Sequence, residues 1–336
     1  MVQSIRWNGK KRYGTGSSKE GRHRRVAENG RRQVAAVVKI FYSDSVALPL
    51  PAGHRFPAEK YGLLRNRLLA EGILPAACLA RSPLCSRADL TRVHAVDYVD
   101  SFLNGALDAR AQRRIGLPWS PAYATRVRAS VGGTIAATQA ALRDGFSGHL
   151  AGGTHHAHHD FGAGFCVFND FAVVAAKALA EGWVTRLAII DLDVHQGDGN
   201  AALLADREEV FVFSLHGEKN FPFQKVPSDL DVALPDGTED RAYLSALRKA
   251  LPLVFAFQPE LVLYQAGVDP LAQDQLGRFA LTFAGLMARD DLVLRACRDR
   301  EIPVALVLGG GYSDPIAHSV RAAANTYRVA TALFGW

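Results

Sequence analysis

Cysteine is scarce and scattered in this sequence. Cys78, Cys85, Cys166 and Cys297 show no C-x-x-C spacing, which excludes a disulfide scaffold or a cysteine zinc knuckle and suits a reducing cytoplasm. Long apolar runs are also missing. The longest, such as Ile302–Leu308, are strand-sized, so no membrane span is expected. Met1–Gln33 alternates basic and polar residues without a continuous apolar segment, which argues against export. No sustained heptad, internal repeat or linker divides the chain beyond Gln33. The 336 residues therefore read as a basic, disordered extension, 1–34, and a single domain, 35–336, while oligomeric state stays unreadable.

The composition is that of ordinary globular material, 49% hydrophobic and 21% charged. The net charge of +6 is misleading. Met1–Gln33 holds ten Lys/Arg against two Glu, so it contributes +8 and leaves −2 for the rest. A nucleic-acid-binding enzyme would spread basic charge over a folded face, so nucleic acid is not an expected partner.

Strand-like runs at Ala35–Tyr42, Leu187–Leu192, Val210–Leu215, Leu261–Gln265 and Pro303–Leu308 alternate with helical stretches. The helices are expected at Ala58–Glu71, Ser130–Asp144, Ala172–Glu181, Arg241–Phe257, Phe283–Asp299 and His318–Phe334. This pattern predicts an α/β fold with a parallel sheet. Polar clusters come directly after four of the strand runs, where open parallel sheets carry their sites.

Asp191-Leu-Asp193-Val-His195 places three polar side chains on one side of an extended segment, so Asp193 and His195 can share a metal. Asp269, leaving another apolar strand, is the best third ligand for a catalytic zinc site. His155 and His156, being adjacent, point apart, and Asp191 and Asp198 are available to orient them as two Asp–His pairs, one of which can supply a general base. His158 and His159 read as surface or structural residues. Tyr312, after three glycines, can donate to an oxyanion beside the metal. Gly164, Phe165, Phe221, Phe223, Gly310 and Gly311 are candidate walls of a substrate channel.

Gly152-Gly-Thr-His155-His156-Ala, Gly164-Phe-Cys-Val-Phe-Asn-Asp170, Asp191-Leu-Asp-Val-His-Gln-Gly-Asp198-Gly, Gln265-Ala-Gly-Val-Asp269 and Gly309-Gly-Gly-Tyr312 together resemble the zinc-dependent histone deacetylase family, in the same motif order. The resemblance runs from about Phe41 to the C-terminus. Gly53-His-Arg-Phe-Pro57, Leu117-Pro-Trp-Ser-Pro121, Ser214-Leu-His216 and Gly237-Thr-Glu-Asp240 are similar to its class IV branch, with which Gln196 is compatible.

The resemblance implies a three-layer arginase/deacetylase fold with a mainly parallel eight-stranded sheet, and one Zn2+ on Asp193, His195 and Asp269. It assigns His156 as general base, His155 as its electrostatic partner, Asp191 and Asp198 as orienting groups, and Tyr312 as polariser of the acyl carbonyl. Asp191, Asp193, His195, Ser214 and Leu215 match positions that hold a monovalent cation, usually K+. The implied substrate is acyl-lysine, with an acylpolyamine or other small amide as the alternative. A two-manganese ureohydrolase shares Asp-x-His, but Gly197 stands where its second metal needs a carboxylate. A silent acyl-lysine-binding protein would be expected to lack Tyr312 or His156, and both are present.

Overall fold

Leu187, Ala188, Ile189 and Ile190 are all fully buried, with Leu187 and Ile189 in one apolar core and Ala188 and Ile190 in another. A strand apolar on both faces belongs in the middle of a covered parallel sheet. The computed structural model, which describes residues 5–7, 38–51 and 53–336, places it there.

The strands are β1 (Ile5–Trp7), β2 (Ile40–Tyr42), β3 (Leu79–Arg81), β4 (Phe146–His149), β5 (Leu187–Asp191), β6 (Val210–Gly217), β7 (Leu230–Leu234), β8 (Val262–Gln265) and β9 (Val304–Val307). They form one sheet in the order β1-β7-β6-β5-β8-β9-β4-β2-β3. The eight strands β2–β9 are mutually parallel, and β1 joins the β7 edge antiparallel. Side chains from the helices Lys60–Ala70, Asp240–Ala256, Phe283–Arg298 and Ala317–Phe334 complete one core, and those from Val96–Leu103, Pro121–Asp144 and Asp170–Ala180 complete the other. The result is the expected three-layer arrangement.

Three differences separate the structure from the sequence reading, the first two with physical causes. Phe146-Ser-Gly-His149 has too polar a composition to read as a strand, yet β4 is wholly buried because β2 and β9 flank it. The helix expected from Ser130 starts at Pro121, where the Ser120 hydroxyl accepts from the Tyr123 N–H at 3.1 Å and proline occupies the first turn. The first strand is expected near Ala35, whereas β1 lies inside the extension read as disordered. Apart from β1, that extension falls outside the described residues, as do 35–37.

His149, at the end of β4, is fully buried between the hydroxyls of Ser82 (3.2 Å), Ser43 (3.3 Å) and Thr134 (3.3 Å). Burial, with help from Arg126, lowers its pKa to about 3. A depressed imidazole adds stability that is present above its unfolded value of roughly 6.5 and is lost as pH falls toward the folded value. Thermal midpoints measured from pH 7 to 4 should therefore fall less steeply for His149→Gln than for wild type, and identical slopes would remove His149 from the acid response.

Candidate active site

The strands β6, β5, β8 and β9 are sheet neighbours, so their carboxyl ends and adjoining loops meet on one rim. Register aligns Asp191 with Ser214 on one side and Gln265 on the other. β5 stops at Asp191, so strand alternation does not aim Asp193 and His195, contrary to expectation. The chain bends instead, and each carboxylate caps the turn after it: the Asp193 N–H donates to Asp191 Oδ1 at 3.2 Å, and the His195 N–H to Asp193 Oδ1 at 3.0 Å.

Asp193, His195 and Asp269 converge with ligand atoms within 4.8 Å of one another, the one such cluster among the described residues. Nδ1 of His195 lies 3.0 Å from Asp193 Oδ1 and 3.1 Å from Asp269 Oδ2. One ring nitrogen carries at most one proton, so two carboxylates aimed at it make a cation site better than a hydrogen-bond pair. Electrostatics agree. Burial lowers the His195 pKa, but Asp193 and Asp269 outweigh it and carry the value up to about 10. Burial and then the Asp193 charge push Asp269 up to about 7. The group of charges thus calls for a cation, and the buried N/O/O donor set fits a three-ligand catalytic ion with an open position. The remaining carboxylate oxygens are held by N–H donors, Val194 to Asp269 Oδ1 at 2.9 Å and Gly310 to Asp193 Oδ2 at 2.7 Å. A Cβ on Gly310 would overlap the Asp269 carboxylate, so only glycine fits there.

His155 Nδ1 sits 2.8 Å from Asp191 Oδ2, and His156 Nδ1 sits 2.6 Å from Asp198 Oδ1, giving two buried Asp–His pairs. Their environments push them apart. Burial lowers the His156 pKa to about 4, aided by the neighbouring His155, whereas for His155 the charges of Asp191 and Asp193 overcome burial and raise it to about 9. The two shifts run in opposite directions, so the proton is favoured on His155 and His156 is the one left to act as a base.

These residues line a cavity of about 700 Å3 together with Asp193, His195, Asp269, Tyr312, Gly164, Phe165, Phe221, Phe223 and Gly310. Phe165 adopts φ +67°, rare for a bulky side chain, and packs 6.0 Å from the Tyr312 ring and 5.3 Å from Phe56. Phe221 meets the His156 ring edge-on at 4.8 Å, and Phe223, 85% exposed, marks the mouth. Gly311, expected on the channel wall, is not on it. Its backbone turns toward Val268 and Ser319, and its carbonyl accepts from Lys60 Nζ at 3.3 Å, while Gly309 takes the wall position. Ser214 bonds His216 Nδ1 at 2.9 Å, and Leu215 is buried beside it.

Sequence reasoning misses several supports. His158, read as surface or structural, binds Asp198 Oδ2 at 3.0 Å, so one carboxylate holds two imidazoles; the exposed His159 ring bonds the Val93 carbonyl at 2.8 Å, and its own carbonyl accepts from the Ala95 N–H at 2.7 Å. Asn200 reaches Asp191 at 3.3 Å, and Asp274 accepts the Tyr312 N–H at 2.6 Å. Gln265, aligned with Asp191 across the β5–β8 pair, brings its Nε2 to 3.1 Å from His155 Nδ1, and spacing offers no signal for any of these. Removing His158 gives Asp198 wholly to His156 and strengthens its pull on the proton. His158→Ala should therefore move the acid limb of the kcat/KM profile to higher pH; an unmoved limb would leave His158 a purely structural partner.

A histone deacetylase domain is matched over residues 54–327. An uncharacterised protein of Picosynechococcus sp. is 45% identical over 278 residues, covering 82% of this chain and 93% of that protein. Histone deacetylase 2 of Arabidopsis thaliana is 32% identical over 288 residues, covering 82% and 74%. The crystal structure of an HDAC homologue from Aquifex aeolicus superposes with a TM-score of 0.73 at 25% identity, covering 89% of this chain and 84% of that one.

Proposed function

This chain belongs to the histone deacetylase family of hydrolases, and we propose that within it the protein is a zinc-dependent amidohydrolase that removes acyl groups from lysine side chains. The observation that carries this reading is the buried Asp193–His195–Asp269 cluster in a cavity lined by aromatic side chains, with His156 and Tyr312 lining the same cavity. A zinc ion held by those three ligands would supply Lewis-acid charge for the acyl carbonyl and the attacking water.

The chain's own groups do the rest. His156, held by Asp198, takes a proton from the water whose oxygen adds to the carbonyl carbon, and returns it to the amine as the C–N bond breaks, leaving carboxylate and free lysine. His155, on which Asp191 favours a proton, balances the negative charge that develops. Tyr312, whose pKa burial raises well above that of an ordinary phenol, stays a hydrogen-bond donor for the oxyanion. Phe165 and Phe221 cover the acyl-amine chain with apolar surface.

The same reading includes a single zinc per chain, a K+ near Asp191, Asp193, His195, Ser214 and Leu215, kinship with the class IV branch, and a cytoplasmic location. Among the described residues, Asp193 and Asp269 are the only carboxylates lining the cavity, while Arg55, Arg114, Lys219 and Arg278 also line it. That lining repels a polycation and favours acyl-lysine over an acylpolyamine. The test is a panel of acetyl-lysine, fatty-acyl-lysine and acetylpolyamine substrates with zinc-loaded protein. Release of free lysine is the expected result. Bound zinc without turnover of any of them would make the protein a binder instead.

A further inference from the structure

Tyr123, Arg126, Val127, Ser130 and Val131 of the helix Pro121–Asp144 line the same cavity as the catalytic histidines. Their spacing, i, i+3, i+4, i+7 and i+8, is one face of a helix, and such a face turned inward is ordinarily apolar throughout. Ser130 is a small exception, and Arg126 and Tyr123 are large ones. Arg126 is only 8% exposed, and among the described residues it makes no ion pair. The acid nearest in influence, Asp44, is committed to Arg65, at 3.0 Å from its Nε and 2.9 Å from its Nη2.

Nη1 of Arg126 meets the Ser43 and Val46 carbonyls, and the guanidinium lies 4.9 Å over the Tyr61 ring. Neither kind of partner neutralises a charge. Burial accordingly lowers its pKa, with Tyr61 and Asp44 opposing. Tyr123, one turn earlier, has a buried hydroxyl with no hydrogen-bond partner among the described residues. Burial holds that phenol well above its usual pKa, so it keeps its proton to donate. A buried cation without an anion and a buried donor without an acceptor each destabilise the free protein. Side by side on one cavity wall, they share a single remedy, which is a carboxylate.

We propose that Arg126 and Tyr123 form a subsite for the far end of the acyl group, and that the preferred acyl group ends in a carboxylate, as succinyl and glutaryl do. This deepens the reading of the cavity as an acyl-lysine site and rests on it. The cavity, about 700 Å3 from the exposed Phe223 to the buried Asp269, exceeds what an acetyl group needs, and Arg126 and Tyr123 are the lining cation and hydroxyl that are buried without an anionic or hydrogen-bonding counterpart among the described residues.

Glutaryl-lysine and pentanoyl-lysine peptides of one sequence, nearly equal in length, isolate the carboxylate. With zinc-loaded wild type, kcat/KM should favour glutaryl on the order of tenfold or more, the effect of a hydrogen bond to a charged group. In Arg126→Gln that preference should vanish while acetyl-lysine turnover is retained. Equal or reversed preference in wild type would overturn the subsite. So would an Arg126→Gln that slows every acyl peptide alike, since Arg126 would then only clasp the Ser43–Val46 loop. Free acetate and free glutarate, tried as inhibitors, separate the other source of a carboxylate: Arg126-dependent acetate inhibition without an acyl preference would assign the site to the departing product and sink the proposal. Calorimetry on His156→Ala, which leaves the peptides intact, gives a readout independent of turnover. Tighter glutaryl than pentanoyl binding that disappears on adding Arg126→Gln supports the subsite even if no acyl peptide is hydrolysed, whereas failure of hydrolysis alone strikes only the enzymatic reading.

Discussion

Asp269→Ala should give a folded protein that retains almost no zinc and hydrolyses no acyl-lysine amide. Asp193 and His195 alone leave a catalytic zinc site one ligand short, and binding energy falls steeply with each lost ligand. The substitution also strips the Val194 N–H of its acceptor, so damage to the turn must be separated from loss of metal. Asp269→Asn makes that separation, because it keeps the size and a hydrogen-bonding oxygen. In the metal-free protein, Asp269 has a pKa raised to about 7 by burial and by Asp193. A carboxyl raised above its unfolded value, roughly 3.9, stabilises the fold fully below that value and loses the contribution as pH rises through the folded one. Metal-free wild type should therefore soften between about pH 4 and 7 in a way that Asp269→Asn does not. Both variants should be zinc-poor and inactive. Metal analysis and thermal midpoints on the same preparations decide the matter, and normal zinc content in Asp269→Ala would remove Asp269 from the site.

The metal cluster is legible in the chain because each of its residues comes after an apolar strand, and a carboxylate or imidazole in such a place needs a partner. The same logic locates β5, β6, β8 and β9. It fails for β4, whose Ser147 and His149 are polar but satisfied by the Lys39 carbonyl and by hydroxyls that only the tertiary fold delivers. It fails again at His158, since nothing in His155-His156-Ala-His158 reveals that two imidazoles share Asp198. Gly311 is misplaced for a related reason: three consecutive glycines are alike in sequence, and only the fold sets Gly311 against Val268 and Ser319 while Gly309 and Gly310 line the cavity. Local pattern is legible where strand period and burial dictate it. Sharing of one group by two partners is a property of the assembled fold.

Tyr312→Phe should lower kcat on the order of a hundredfold to a thousandfold while leaving zinc content and thermal midpoint nearly unchanged. The ring is fixed independently of its hydroxyl. Its backbone N–H donates to Asp274 at 2.6 Å, Phe165 packs at 6.0 Å, and Lys60 Nζ stands 4.9 Å over the ring face. Phenylalanine keeps all three contacts, so the variant isolates one O–H. Burial first, then Tyr61 and the carboxylates Asp193 and Asp269, hold the Tyr312 pKa well above that of an ordinary phenol. The hydroxyl therefore stays a donor throughout the working pH range, and any alkaline limb of the rate profile belongs to another group and should survive the substitution. A donor aimed at developing charge acts mainly in the transition state, so KM should change far less than kcat. A merely packed aromatic predicts the opposite pattern, with near-normal turnover and at most about 1 kcal/mol of stability lost with a hydrogen bond. Steady-state kinetics and a melting curve on one zinc-loaded preparation distinguish the two, and an unchanged kcat would sink the oxyanion role of Tyr312.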